Sequence, residues 1–217
     1  KAGVDMLHVS GGTTIARGSS IPAPGTKLGT HSHLSEEIKK YVKIPVATVG
    51  RITEPWIAEE IIATGKADAC MMGRANLCDP EFANKAKEGR EAEIRPCIGC
   101  LKCLNGIMFG KRVACTMNPS FELENEDTLQ PAEVKKNVLV IGGGPGGMEA
   151  AYVAAKKGHH VVLCEKQDEL GGLLRAASVP IGKQDLCRVI QYLVHRLEMV
   201  GVEVRLGTEV TKEMLTG

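Results

Sequence analysis

Asn137-Val138-Leu139-Val140-Ile141-Gly142-Gly143-Gly144-Pro145-Gly146-Gly147 is the stretch that decides how the last third of the chain folds. The apolar run after Asn137 reads as a buried parallel strand. It leads straight into G-x-G-x-x-G at Gly142, Gly144 and Gly147. A helix from Met148 to Lys157 follows and ends at Gly158. A second strand, His160-Val161-Val162-Leu163-Cys164, then meets Glu165, 23 residues beyond Gly142. The three glycines allow a tight turn, close approach to a pyrophosphate and close helix–strand packing, and the helix N-terminus attracts the anion. An acid ending the second strand is placed for ribose hydroxyls. Glycines alone would say little; with strand, helix and acid they predict a dinucleotide-binding fold. For Glu165 the plain alternative is a solvated strand-end carboxylate. Gln184 to Met199 reads as an amphipathic helix whose Leu186, Val189, Ile190, Leu193, Val194 and Leu197 face the core. Tyr192 and His195 lie off that stripe and are expected to be exposed, and Lys166, His159 and His160 are expected at the surface.

Upstream, Cys97, Cys100 and Cys103 follow at C-x₂-C-x₂-C spacing, and Cys115 comes after eleven intervening residues. Two consecutive C-x₂-C steps wrap three thiolates around a compact centre, and a distant fourth completes the set of an iron–sulfur cluster. Gly99 helps the loop curl. Zinc remains an alternative, although it more usually takes two separated C-x₂-C pairs or a Cys/His mixture. Disulfides are disfavoured by the absence of a visible secretory signal and by the nucleotide motif downstream. Cys70 and Cys164 in strands, Cys187 in a helix and Cys78 in a loop fit simple apolar packing.

The first third alternates strand and helix. Val4 to Ser10 is a strand, followed by a polar loop to about His33. Leu34 to Val42 reads as a helix, Pro45 to Val49 as a strand closed by Gly50-Arg51. Thr53 is the expected cap of a helix running to Gly65. Asp68 to Met72 is a strand closed by Gly73-Arg74, and Asp79-Pro80 is the expected start of another helix. Such alternation implies a parallel sheet, either a (β/α)₈ barrel or an open doubly wound sheet. Two successive strands ending in Gly-Arg favour the barrel, whose last loops often build a phosphate site. The plain alternative leaves Gly50 and Gly73 as strand ends and Arg51 and Arg74 as solvated charges. His8 is expected to be packed, and His31 and His33 to be solvated.

Composition narrows the function classes. The 217 residues hold 27 basic and 26 acidic side chains, so a clustered basic surface for nucleic acid is not expected. With 43% hydrophobic residues the chain can bury a core. No apolar run reaches the roughly 18 residues that would span a bilayer. Lys1-Ala2-Gly3-Val4-Asp5 shows no signal-peptide pattern, so a soluble, cytoplasmic protein is expected. The chain does not begin with Met, and its parts read as pieces of two domains joined by the cysteine segment.

The order of these parts resembles the iron–sulfur flavoenzymes of the Old Yellow Enzyme class. That group includes 2,4-dienoyl-CoA reductase, enoate reductase, trimethylamine dehydrogenase and the bile-acid-inducible NADH:flavin oxidoreductases. The most specific stretches are Val49 to Pro55, Gly73 to Phe82, Cys97 to Cys100 and Val140 to Gly147. The resemblance implies residues 1–94 as the C-terminal part of an FMN-binding barrel, 95–136 as an iron–sulfur segment and linker, and 137–217 as the start of a Rossmann-like FAD/NAD(P)-binding domain. Gly50, Arg51, Gly73 and Arg74 would hold the FMN phosphate, and Cys97, Cys100, Cys103 and Cys115 a [4Fe–4S] cluster. Gly142, Gly144, Gly147 and Glu165 would bind FAD, with Gly171 and Gly172 as a second glycine pair beside it. Electrons would pass from NAD(P)H through FAD and the cluster to FMN and an unsaturated small molecule. The layout also suits an electron-transfer module without catalysis, or an amine dehydrogenase running the same chain in reverse. Acid/base residues would lie before Lys1 and the nicotinamide module largely after Gly217, so no catalytic residue is assigned. A homo-oligomer is left open.

Overall fold

The computed structural model of the chain describes residues 3–13, 20–123 and 129–215. Part of the expected loop before His33, residues 14–19, lies outside them. The chain divides into two units, residues 1–121 and 122–217, each α/β with a parallel sheet.

In the first unit, β1 (Leu7–Val9), β2 (Val46–Val49) and β3 (Ala69–Met71) pair in that order, with Leu7 opposite Val46 and Val49 opposite Met71. The central strand is sealed: Val46, Ala47 and Thr48 are fully buried, as a parallel strand covered on both faces requires. Between the strands run α1 (Ser32–Lys39) and α2 (Pro55–Ala63). Ile57 and Ile61, one helical turn apart, pack with Ile52 and Ala67. Gly65, at φ +72°, ends α2: its N–H reaches Ile62 O and that of Lys66 reaches Ile61 O, satisfying two carbonyls that would otherwise be orphaned.

Two expected helix starts are corrected. The residue flanking α2 is Glu54, without a side-chain cap; Thr53 is buried with the end of β2 instead. After β3 the chain forms α3 (Gly73–Cys78), and α4 (Phe82–Lys87) begins two residues later than Pro80 suggests. Asp79 is 2% exposed. Its carboxylate accepts hydrogen bonds from Glu81 N at 3.0 Å, Arg95 N at 2.8 Å and Lys85 Nζ at 2.7 Å. Burial pushes its pKa up, but the Lys85 bond and the backbone donors outweigh that and hold it below the usual aspartate value. Asp79 therefore ties the start of α4 to the segment entering the cysteines. Short α5 (Lys102–Met108) follows.

In the second unit β4 (Asn137–Ile141), β5 (His160–Cys164) and β6 (Glu203–Arg205) pair in order, Asn137 opposite His160 and Cys164 opposite Arg205. Helices α6 (Pro145–Lys156), α7 (Leu173–Ser178) and α8 (Asp185–Met199) complete it. Met148, Ala151, Leu163 and Leu197 form its sealed interior. The expectation that β4 is buried on both faces is corrected. Leu139 and Ile141 are 42% and 61% exposed, because α6 covers only the opposite face among the described residues. Tyr192 is likewise corrected: it is buried beside Arg196. Arg196 pairs through both terminal nitrogens with Glu149 and stacks over Tyr152 at 3.5 Å. A buried cation needs such a complete set of partners, and those partners pull both tyrosines inward.

Candidate cofactor-binding sites

The carboxyl ends of β1, β2 and β3 open into a cavity of about 210 Å³, where parallel α/β sheets generally place ligands. Gly50, Arg51, Gly73 and Arg74 all line it. Gly50 has φ +126°, and a Cβ there would stand 2.9 Å from the His31 ring. His31 is thus buried, not solvated as expected; its ring fills the space left by Gly11 and Gly50. Arg51 is also buried and adopts φ +53°, a conformation costing a non-glycine residue of order 1–3 kcal/mol. Its Nη1 donates to Thr26 O, and Arg74 Nη1 donates to Pro22 O at 2.8 Å. Both guanidiniums are therefore held by one loop at the cavity wall, a fit for a charged oxyanion group.

Arg74 also lines a second, tighter cavity of about 20 Å³, with Cys97, Cys100, Cys103 and Cys115 around it. The local backbone explains the gathering. Gly99 and Leu101 have φ +64° and +61°, which curl the loop before α5. Cys103 then falls in the first turn of α5. A Cβ on Gly99 would lie 3.7 Å from Arg51 Nε, so the cysteine loop abuts the arginine wall of the first cavity. On the return leg, Cys100 Sγ is 3.2 Å from Thr116 Oγ1. Burial pushes the Cys97 and Cys103 thiols up, while backbone N–H groups and Arg74 pull the other way. The donor set is all thiol and suits soft-metal chemistry. Among the described residues, no three His, Cys, Asp or Glu side chains already stand in an array that grips a single ion.

One residue in this cavity escaped the sequence reading. Cys78, taken as loop packing, is the last residue of α3, fully buried, and lines the same space. The Cys115 side chain beside it and its own burial push the Cys78 thiol up, while Cys78 pulls that of Cys115 down. Eighteen residues lie between it and Cys97, so no local spacing signals it.

In the second unit each motif glycine has its own reason. Gly142, at φ +98°, makes the turn leaving β4. A Cβ on Gly147 would stand 1.9 Å from Gly142 O, so α6 could not lie this close to β4 with any other residue. Beside Gly144 there is open space, with nothing within 4 Å of an added Cβ; that is the side from which a pyrophosphate can approach. Glu165 accepts from Gly143 N at 2.6 Å and Gln167 N at 2.9 Å. The Gln167 bond first and the Gly143 bond next hold its carboxyl below the usual glutamate range. A carboxylate has about four acceptor positions, so capacity remains for ribose hydroxyls. Gly171 and Gly172 meet the same loop: Gly171 N donates to Gly143 O at 2.9 Å, and a Cβ on Gly172 would lie 3.1 Å from Gly144 Cα. Gly143, outside the motif, is closely packed too: a Cβ there would meet the end of the Leu170 side chain at 2.3 Å, which would have to shift.

Comparison with known proteins agrees with these two regions. Residues 8–93 match the NADH:flavin oxidoreductase / NADH oxidase family, and residues 137–213 match the FAD dependent oxidoreductase family. The chain is 45% identical to an NADH oxidase of Thermoanaerobacter brockii and 42% identical to a bilirubin reductase of Mediterraneibacter gnavus. Each alignment covers 99% of this chain and 34% of the relative, so the chain spans about a third of their length. Among solved structures, 2-naphthoyl-CoA reductase in complex with 2-naphthoyl-CoA superposes with a TM-score of 0.91 at 30% identity, over 98% of this chain and 33% of that one. No helix among the described residues is long and apolar enough to cross a membrane. Residues 8–93 thus carry the likeness to the NADH:flavin oxidoreductase / NADH oxidase family, and residues 137–213 the likeness to the FAD dependent oxidoreductase family.

Proposed function

We propose that the protein to which this chain belongs is an NAD(P)H-dependent flavin oxidoreductase that reduces an unsaturated, enoate- or enoyl-type small molecule. Residues 1–94 are the C-terminal part of a (β/α)₈ barrel, 95–136 the iron–sulfur segment and linker, and 137–217 the start of a Rossmann-like nucleotide domain. When bound, FAD would accept hydride, a [4Fe–4S] cluster would carry single electrons, and FMN would deliver them to substrate. The chain's own residues do the holding. Arg51 and Arg74 supply fixed charge for the FMN phosphate, and Gly50 and Gly73 let the backbone come close. Cys97, Cys100, Cys103 and Cys115 supply the thiolates. Gly142, Gly144 and Gly147 shape the pyrophosphate turn, Glu165 offers acceptors to the ribose, and Gly171 and Gly172 brace the turn from behind.

The observation that carries this reading is Arg74, which lines the anion cavity and the four-thiol cavity at once. A shared wall of that kind suits two redox groups side by side. Eight thiols and no disulfide among the described residues fit a reducing, cytoplasmic compartment. The test is the composition of the anaerobically purified full-length protein. About four iron and four acid-labile sulfide per chain, with FMN and FAD released on denaturation, are expected, together with bleaching of the flavins by NAD(P)H. Stoichiometric zinc without sulfide would overturn the cluster assignment. Reduction of the flavins by an amine but not by NAD(P)H would reverse the direction of electron flow.

A further inference from the structure

We propose that Cys78 is a positioning residue for the cluster site: its buried S–H donates a hydrogen bond to Cys115 Sγ and thereby stabilises the reduced cluster. This rests on the four-cysteine reading above. The geometry is specific. Cys78 has no exposed surface and lines the cavity formed by the four proposed ligands. Its position is fixed from both arms of the cysteine segment. Arg95, two residues before Cys97, donates from Nη1 to Cys78 O at 2.9 Å. Asn118, three residues after Cys115 and itself buried, donates from Nδ2 to Leu77 O at 3.1 Å. The end of α3 is thus stitched to the stretch before the first thiol and the stretch after the last. Cys78 is thus held in the wall of the cavity that Cys115 also lines, where its S–H is placed to donate to that sulfur.

The consequence follows from charge. Reduction adds an electron to a centre already bound by thiolates, and a donor aimed at one ligand sulfur favours the more negative state. Hydrogen bonds to ligand sulfurs are among the main levers a protein has on cluster potential. A buried site amplifies the effect, because no water replaces the donor when it is removed. The thiol is a weaker donor than a hydroxyl.

The test compares full-length wild type with Cys78→Ala and Cys78→Ser, purified anaerobically. Iron and sulfide are measured first, then the cluster midpoint potential by EPR-monitored titration. Cys78→Ala is expected to keep its iron and sulfide while its ratio of reduced to oxidised cluster at a given potential falls about tenfold, about 59 mV for one electron. Cys78→Ser keeps a donor and stays within a factor of two or three of wild type. Equal potentials in all three would overturn the proposal and leave the cluster assignment standing. If Cys78→Ala does not retain its cluster, Cys78→Val replaces it, filling the volume without a donor. Loss in both apolar variants with retention in Cys78→Ser supports the donor role. Loss in all three variants, or a cluster that survives Cys115→Ala but not Cys78→Ala, makes Cys78 a ligand and overturns it. A wild type without iron and sulfide overturns this proposal and the cluster reading together.

Discussion

The glycine turn of the second unit and the cysteine cavity of the first are built on opposite plans. The turn is local: Gly142 to Gly147 carry the strand end, the bend and the helix start in one uninterrupted run. Distant residues support it at a few points: Cys164 O accepts from Gly142 N, and Glu165 and the Gly171-Gly172 pair are hydrogen-bonded to Gly143 or packed on Gly144. The cavity is assembled from separated pieces. The end of α3, the loop at Cys97 to Cys103 and the return leg at Cys115 converge through Asp79, Arg95 and Asn118. A local site fails when its backbone is obstructed. A convergent site fails when its ties are cut, and it can fail in part.

That difference can be broken most sharply at Gly147. Gly147→Ala puts a methyl group where Gly142 O already lies, and no flexible side chain can yield. A cost of about 4 kcal/mol or more is expected, seen as full-length protein that loses FAD on gel filtration while keeping FMN. Retention of both flavins would show that α6 can shift away from β4. Next in size, Cys100→Ala removes one thiol from the cavity. Iron and sulfide content should fall by more than tenfold, with FAD content unchanged. Parallel loss of FAD would show that the two regions do not fail independently.

Cutting a tie should cost less. Asp79 is held below the aspartate value of 3.8, so its stabilising contribution is present above that pH and lost as pH falls through its lower folded value. Asp79→Asn should destabilise the first unit by about 2 kcal/mol at pH 7, or roughly 4–8 °C in its melting temperature. The difference from wild type should shrink steadily as the pH is brought below 3.8. A difference independent of pH would mean that packing, not charge, makes the tie. The smallest effect is expected at Gly146, which sits in α6 with open space around it. Gly146→Ala should stabilise by about 0.4–1 kcal/mol through the unfolded chain, without loss of FAD. Destabilisation there would mean that the turn needs freedom beyond its three motif glycines.

The same contrast explains what could be read from the sequence. The second unit was legible because period, turn and acid lie within some thirty residues, and each glycine answers to a backbone demand visible in the run itself. The α/β alternation of the first unit was legible for the same reason. What could not be read depended on long-range partners. Cys78 and His31 looked like ordinary packing and ordinary loop until distant residues closed around them. Tyr192 lies off the apolar stripe of α8 yet is buried, with Arg196 set over its ring at 5.3 Å. Thr53 carries cap chemistry but is buried without capping α2, and Asp79 divides its carboxylate between Glu81 N at the start of α4 and the more distant Lys85 and Arg95. Neighbours in space, not in sequence, decided each of these.

Gly106 has a consequence for finding such segments. A Cβ on it would stand 2.7 Å from Arg112 O, so the approach of α5 to the leg that delivers Cys115 depends on a side chain that is not there. The three close thiols and this glycine fall at 97, 100, 103 and 106, one every third residue. The fingerprint to search for is therefore C-x₂-C-x₂-C-x₂-G-x₈-C, in which the glycine is as diagnostic a letter as any cysteine. Chains that keep the four thiols but fill position 106 should return to the site by another route, and their last interval should no longer be eleven.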